Sequence, residues 1–382
     1  MKGKIRIGFI GLGYRGLYLL KLINEIDFFQ LAAVAETNSK ITADIKKCFE
    51  SDALLPEIYT NGDNCYLDML KSENLDLVFV ASPWEWHFKH ASAVLNAGCH
   101  LALEVKGSLF EGEYQQLCEL THENQLKIYP LENTVFMRNV MAVSQMVEKG
   151  VFGEIIFAQG AYRHDLRHIL LEKEDAFWRT KYYETENGDI YPTHSAAPVC
   201  LMLKINRGNR FKSLASFATK AVGMKAGFPN NKQAFSQKTP EFVLGDVITT
   251  IITTESGAQI TLFHDTTLPR PRSLSYEIQG TKGAWNYDLK GMYIEGRSPK
   301  ELWEAEEKYI AQYEHPFWAK WGKTALIHDE HHQGMDYIML EALAADFMNN
   351  DVYPININDL SVWADISLLS KKSIAENRII EI

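Results

Sequence analysis

The stretch "KIRIGFIGLGYRGLYLLKLINE", residues 4–25, constrains the fold more than any other part of the chain. A β-rich run ends at Gly11, and helical periodicity begins after Gly13. Gly11, Gly13 and Gly16 have the spacing of a phosphate-binding turn between a first strand and a first helix. In such a turn the first glycine permits the tight bend and the second lets a pyrophosphate approach the backbone. The third lets helix and strand pack closely, and the helix N-terminus faces the phosphates. Glu36 closes the next β-like run, "LAAVAE", about twenty residues beyond the last glycine, where a carboxylate accepts hydrogen bonds from an adenosine ribose. It would also repel a 2′-phosphate, so the expected cofactor is NAD; Arg15 and Lys40 are the two cations that argue the other way. Tyr14 and Arg15, inside the turn, are expected to touch the cofactor.

The first third of the chain alternates strand-like and helix-like segments, with "LDLVFVAS" and "CHLALEV" as further buried-looking strands. Alternation of this kind implies crossover units and a parallel sheet covered on both faces. After "LKIYPLEN" the character changes. A helical run, "RNVMAVSQMVEKG", stops at Gly150 and leads into long strand-like runs: "EIIFAQGAYRHD", "KSLASFAT", "DVITTIITTES", "AQITLFHDTT", "SYEIQG" and "GAWNYDL". The turns "SGA" and "GTKG" between them suit hairpins. The expected fold is an α/β Rossmann domain over residues 1–130, then an α+β domain over 131–382 with a large, mainly antiparallel open sheet. Two amphipathic helices close the chain and can pack back on the first domain. "GMKAGFPNNKQAFSQKTPEF", residues 223–242, is the most loop-like stretch.

Composition narrows the partners. A net charge of −10 with no basic tract excludes a general nucleic-acid binder, whose affinity comes from clustered Lys and Arg. Five cysteines without CxxC spacing point to reduced thiols and a cytoplasmic protein. Lys2, Lys4 and Arg6 before an apolar run imitate a leader, but Arg15 cuts that run short, and no stretch reaches the length of a membrane span. The expected partner is a small molecule, and the open sheet suits a homo-oligomer.

Ligands of open parallel sheets bind at the carboxyl ends of the strands, so the residues that end each strand are candidates. "SPWEWH" follows one such strand: Trp84 and Trp86 can wall a nicotinamide or form a buried aromatic corner, and His87 can bond to the ring. Glu104, Glu132 and Asn133 end the next two strands, as site groups or as loop caps. "HDLRH" (164–168) and "HDEHH" (328–332) gather histidines, yet neither has the HExxH form and no cysteine joins them, so no metal is expected.

In this order "WEWH" (84–87), "LEN" (131–133), "GVFGEI" (150–155), "AYRHDLR" (161–167), "FWR" (177–179), "YPTH" (191–194), "HDTT…RPR" (264–272), "QGTKG" (279–283) and "QGMDYIM" (333–339) resemble the NAD-dependent glycoside hydrolases of family 109, α-N-acetylgalactosaminidases among them. These lie within the Gfo/Idh/MocA oxidoreductase superfamily. The resemblance implies Tyr162, His164, Tyr191 and His194 at the reacting sugar, with Glu132, Arg179 and Arg272 binding it. It implies Trp84, His87, Glu104, Val105, Asn133 and Tyr191 at NAD. The chain departs from the family at Lys106, where a proline is usual, at "SAAP" after "YPTH", and at Arg272, where a tyrosine is usual. Arg272 and Lys106 together suggest a ligand carrying a carboxylate or sulfate.

The implied reaction oxidises the sugar at carbon 3, eliminates the group on carbon 1, adds water and reduces carbon 3 again. Two separate proton transfers explain why a phenol and an imidazole stand three residues apart in "YPTH". An imidazole titrates near neutrality, about 6.5, whereas a phenol at about 10 needs nearby positive charge to act as a base. The alternative is a sugar or polyol dehydrogenase with Lys106 as its proton carrier.

Overall fold

The computed structural model describes residues 4–45, 55–106, 109–172, 177–227, 241–349 and 353–382. Most of the loop-like stretch 223–242 lies outside the described residues. The chain divides into two compact units: Met1–Met137 with Pro316–Ser361, and Arg138–His315 with Val362–Ile382. A single cut near residue 130 does not describe this division, because Pro316–Ser361 belongs with the N-terminal segment.

The first unit is built on six parallel strands: β1 (Ile5–Ile10), β2 (Phe29–Ala35), β3 (Glu57–Tyr59), β4 (Leu77–Val80), β5 (His100–Leu103) and β6 (Ile128–Pro130). Their order is β3-β2-β1-β4-β5-β6, so the strand order reverses beside β1, where ligands of open α/β sheets bind. The helices are α1 (Tyr14–Asn24), α2 (Ser39–Ile45), α3 (Cys65–Ser72), α4 (Trp84–Asn96) and α5 (Glu113–Asn124). Burial on both faces explains the near-continuous apolar runs: all four residues of β4 are buried, and Phe9 stacks on its register partner Phe79 at 5.3 Å. That pair adds about 1 kcal/mol beyond its area burial. The short β3 was not anticipated, since three residues carry no readable alternation.

The second unit follows with α6 (Arg138–Glu148), β7 (Ile155–Arg163), α7 (Arg167–Glu172), α8 (Phe177–Thr185), α9 (Thr193–Met202), β8 (Phe211–Ala218), α10 (Gly223–Gly227), β9 (Val247–Thr254), β10 (Gln259–Asp265), β11 (Glu277–Gly280), β12 (Gly283–Asn286), β13 (Gly291–Ile294), β14 (Glu304–Ala305) and α11 (Glu307–Gln312). The chain returns to the first unit through α12 (Pro316–His328) and α13 (Met335–Asn349) and ends with α14 (Ile357–Glu376) and β15 (Ile380–Glu381). The nine strands β7 to β15 form one sheet in the order β14-β13-β12-β11-β7-β10-β9-β8-β15. Its neighbours pair antiparallel except β7 with β10, which run parallel. The sheet is therefore mixed, though mainly antiparallel as expected.

Among the helices that escaped the sequence reading are α8 and α9. In α9, "THSAAPVCLM", nearly every residue is buried, so no polar stripe marks it as helical. The helix lies against β7. A Cβ at Gly160 would collide with the Ser195 carbonyl oxygen, so only glycine allows that approach.

Candidate active site

Chemically active side chains gather in two clusters, one in each unit. In the first unit they surround the glycine turn. Gly11 has φ +86°, and a Cβ there would lie 2.8 Å from the Ser82 nitrogen, so the position demands glycine twice over. Beside Gly13 a Cβ would meet nothing within 4 Å, and no side chain caps the first turn of α1. The backbone is thus left open at the point where an anion is stabilised. Glu36 is buried and accepts from the backbone N–H groups of Leu12 at 2.6 Å and Asn38 at 2.8 Å. Its carboxylate both fastens the turn and keeps lone pairs for a ribose.

Arg15 is committed. Its guanidinium donates to Glu104 at 2.7 Å and to both oxygens of Asp336 at 2.9 and 2.7 Å. It therefore no longer argues for a 2′-phosphate. Burial works against this charge, but Asp336 and Glu104 more than offset it and hold Arg15 above its ordinary value. Asp336 also accepts from Asn133 Nδ2 at 3.0 Å and meets His332 Nδ1 at 2.5 Å. Asp329 accepts from Tyr18 and from the N–H groups of Asp336 and Tyr337, fixing the start of α13. Asp329, His332 and Asp336 are the one group among the described residues whose ligand atoms approach as metal ligands would. Those atoms already serve Arg15, Tyr18 and the backbone.

His87 and Trp84 lie on the buried side of α4. His87 Nε2 is 2.6 Å from the Ser82 carbonyl oxygen, which only accepts, so Nε2 carries the proton and Nδ1 is an acceptor. Burial pushes this imidazole down to about 4. Its Nδ1 and the Asn133 Oδ1 are both buried without a hydrogen-bond partner among the described residues. Tyr14 is exposed, and Val105 is buried. Lys106 is buried too, with its ammonium 5.3 Å from the Trp84 ring. Glu132 is fully buried, and its Oε1 accepts from Thr134 N at 3.2 Å and Thr134 Oγ1 at 2.6 Å. It caps the 3-10 turn Asn133–Phe136, the second of the two roles the sequence left open for it.

In the second unit Tyr162, Tyr191 and His194 meet as three rings: Tyr162 to Tyr191 at 4.9 Å, Tyr162 to His194 at 5.5 Å and Tyr191 to His194 at 5.0 Å. The Arg179 guanidinium lies 4.8 Å from the Tyr191 ring and 5.8 Å from that of Tyr162. His164 is pushed down to about 4, by burial first and then by the charges of Arg272 and Arg179. Asp165 does not orient it, because both carboxylate oxygens bind Arg167, at 2.9 and 2.7 Å.

Local chemistry places these groups. Asp189 is tied to α14 by its N–H to Ser370 Oγ at 2.9 Å and by Ser367 Oγ donating to its carbonyl at 2.5 Å. Its side chain then accepts from Tyr191 N at 3.1 Å. Further on, Pro198 sits inside α9 and has no N–H to give the His194 carbonyl four residues back. The Tyr276 hydroxyl takes that place, donating to His194 O at 2.5 Å. Among residues the sequence reading did not single out, His264 faces Tyr162 across the parallel β7–β10 register, rings 6.2 Å apart. Asp336 was missed likewise, although "QGMDYIM" contains it.

A glycine turn at the strand-order reversal, with a second unit carrying phenols and imidazoles on a large sheet, defines an oxidoreductase-type, nucleotide-binding architecture. Residues 5–128 match the model of the oxidoreductase family with an NAD-binding Rossmann fold, and residues 136–381 match that of the glycosyl hydrolase 109 C-terminal domain. The chain belongs to glycosyl hydrolase family 109, within the Gfo/Idh/MocA superfamily. It is 34% identical to an α-N-acetylgalactosaminidase of Tannerella forsythia, the alignment covering 98% of this chain and 84% of that one. It is 33% identical to a family 109 protein of Parabacteroides distasonis, with the same coverage. Among solved structures, an NAD-binding oxidoreductase from Klebsiella pneumoniae superposes with a TM-score of 0.77 at 15% identity, covering 100% of this chain and 99% of that one. A scyllo-inositol dehydrogenase from Lactobacillus casei, solved with NAD(H) and scyllo-inositol, gives 0.67 at 16% identity, with 99% of each chain covered. At such identities these structures speak for the fold. No described helix is long and apolar enough to cross a membrane.

Proposed function

We propose that the chain is an NAD-dependent glycosidase that cleaves by oxidation at carbon 3, elimination, water addition and re-reduction. The carrying observation is the ring cluster Tyr162, Tyr191 and His194 with the Arg179 guanidinium 4.8 Å from the Tyr191 ring. The first unit suits the nucleotide: open backbone at Gly13 for the pyrophosphate, Gly16 packed closely on Gly11, Glu36 for the ribose, and two unfilled acceptors, His87 Nδ1 and Asn133 Oδ1, for a carboxamide N–H₂. Tyr14, Trp84, Glu104 and Val105 complete that set. When bound, NAD would supply the reversible hydride acceptor that turns carbon 3 into a ketone and later restores it.

The chain's own groups handle the protons. Tyr191, whose ring has the Arg179 guanidinium 4.8 Å away, takes the hydroxyl proton at carbon 3. The ketone acidifies the hydrogen on carbon 2. His164 and His194 divide the carbon 2 proton and the proton for the group leaving carbon 1; His164 accepts, because burial and its cationic neighbours keep it neutral. Each placed proton carrier contributes about 10²–10⁴-fold. Arg179 and Tyr162 hold the sugar. No pair of carboxylates is required, as in other NAD-dependent exceptions to the usual glycosidase scheme. Free thiols at Cys65, Cys99 and Cys118 support a cytoplasmic setting. Exposed Ile156 and Phe217 on strands of the large sheet support a homo-oligomer.

Purified protein incubated with aryl glycosides in deuterated water, without added cofactor, tests the reading. We expect cleavage with deuterium at carbon 2 and no net NADH. Steady NADH formation that needs added NAD⁺ and a free sugar would establish the dehydrogenase alternative instead.

A further inference from the structure

The cations of the second unit fall into two groups. Arg167 is held by Asp165, Arg270 binds Asp265 at 2.8 Å, and Arg163 stands 3.9 Å from Asp265. Arg272, by contrast, is exposed and makes no ion pair or hydrogen bond among the described residues.

Backbone register fixes where Arg272 stands. Arg163 and Ser273 form an antiparallel bridge, exchanging N–H···O bonds of 3.1 and 2.9 Å, so the next pair in that register is His164 with Arg272. Directly opposed residues of an antiparallel pair share a face, and residues two apart on a strand share a face. Arg272 therefore belongs to the face of His164 and Tyr162, while Arg163 and its partner Asp265 belong to the other. After burial, the charge of Arg272 is the next cause that pushes His164 down, in keeping with that register. Asp165, the carboxylate next in sequence, is spent on Arg167. Beside Tyr162 the charge neighbours of Arg179 are the phenols of Tyr162, Tyr183 and Tyr191. Positive charge thus accumulates on this face of a chain whose net charge is −10.

We propose that this face binds a sugar bearing an anionic substituent, a carboxylate or a sulfate ester, and that Arg272 reads it. The proposal rests on the sugar-binding reading above. A guanidinium fork matches the paired oxygens of either group, and such charge-assisted bonds are the stronger class. The proposal concerns Arg272 alone; the Lys106 ammonium is buried against Trp84 in the first unit.

Matched sugars decide the matter. Galactose against galacturonate, glucose against glucuronate, and N-acetylgalactosamine against its 6-sulfate are titrated calorimetrically into the NAD-loaded full chain, with inorganic sulfate as a separate probe. In at least one pair the acidic member should bind about ten- to hundredfold more tightly. R272Q should remove that preference and R272K retain part of it; the pair that responds separates carboxylate from sulfate. Equal or weaker binding of every acidic member, or a preference that survives R272Q, overturns the proposal. Glycoside cleavage is scored apart from this. Cleavage with deuterium at carbon 2 but no acid preference removes the anion site alone, whereas an Arg272-dependent preference without cleavage removes the hydrolase alone.

Discussion

Arg15 in the first unit and Arg179 in the second meet burial in opposite ways. Arg15 lies between two carboxylates, with three hydrogen bonds of 2.7 to 2.9 Å. Arg179 has phenols for its charge neighbours, at ring distances of 4.8 and 5.8 Å from Tyr191 and Tyr162. A charge whose field is cancelled holds elements together; one that faces phenols keeps its field for whatever else enters the cluster. On the proposed function, the first cluster serves stability and the second proton chemistry.

The strongest challenge to that contrast is Asp336→Asn. It leaves a buried guanidinium short of a partner, and breaking a buried pair costs about 3–5 kcal/mol, so denaturant unfolding should show a fall of that size. Arg179→Met should instead depress glycoside turnover while leaving the unfolding midpoint comparatively little changed. If the two variants exchanged their effects, the division of labour would be wrong.

Acid sharpens the comparison next. His87 titrates at about 4 in the folded protein and at about 6.5 when unfolded, so between those values the unfolded chain binds the extra proton. The stabilisation from a neutral His87 is complete above pH ~6.5 and is lost as pH falls toward 4, roughly 3 kcal/mol in all. Asp336, held well below the usual carboxylate range although burial opposes it, chiefly by Arg15, keeps its contribution across that window. Stability measured from pH 7 to 4 should therefore slope downward, and His87→Gln should flatten the slope.

The smallest effect concerns Tyr276→Phe. The His194 carbonyl, denied a helical donor by Pro198, would lose its hydroxyl partner at a cost of about 1–3 kcal/mol. Turnover should fall with it, because His194 would no longer be held, and KM for the glycoside should move less than kcat.

Sequence periodicity made the first sheet readable. "IRIGFI" and "LVFV" are apolar because both faces of their strands are covered, and the glycines are dictated by a turn whose backbone excludes other residues. The candidate site was legible only through side chains named by motif: Tyr162, Tyr191, His194 and Arg179 gather in one cluster. At Glu132 the sequence left two roles open, since a carboxylate after a strand reads alike whether it binds a ligand or caps a turn, and the cap became visible only in the structure. His264 and Asp336 gave no separate signal.

The chain by itself therefore determined a nucleotide-binding turn, the alternation of the first unit, the long strands of the second and the kinds of groups available for proton transfer. These are local consequences of spacing and of which backbone conformations a residue tolerates. Tertiary structure alone decided that Arg15 is neutralised by Asp336, 321 positions away, and that His264 stands across from Tyr162. It also decided that Tyr276 fills the bond Pro198 cannot make. Each of these is a pairing between distant segments, and the electrostatic fate of a buried group depends on who its neighbours are, which no local pattern encodes.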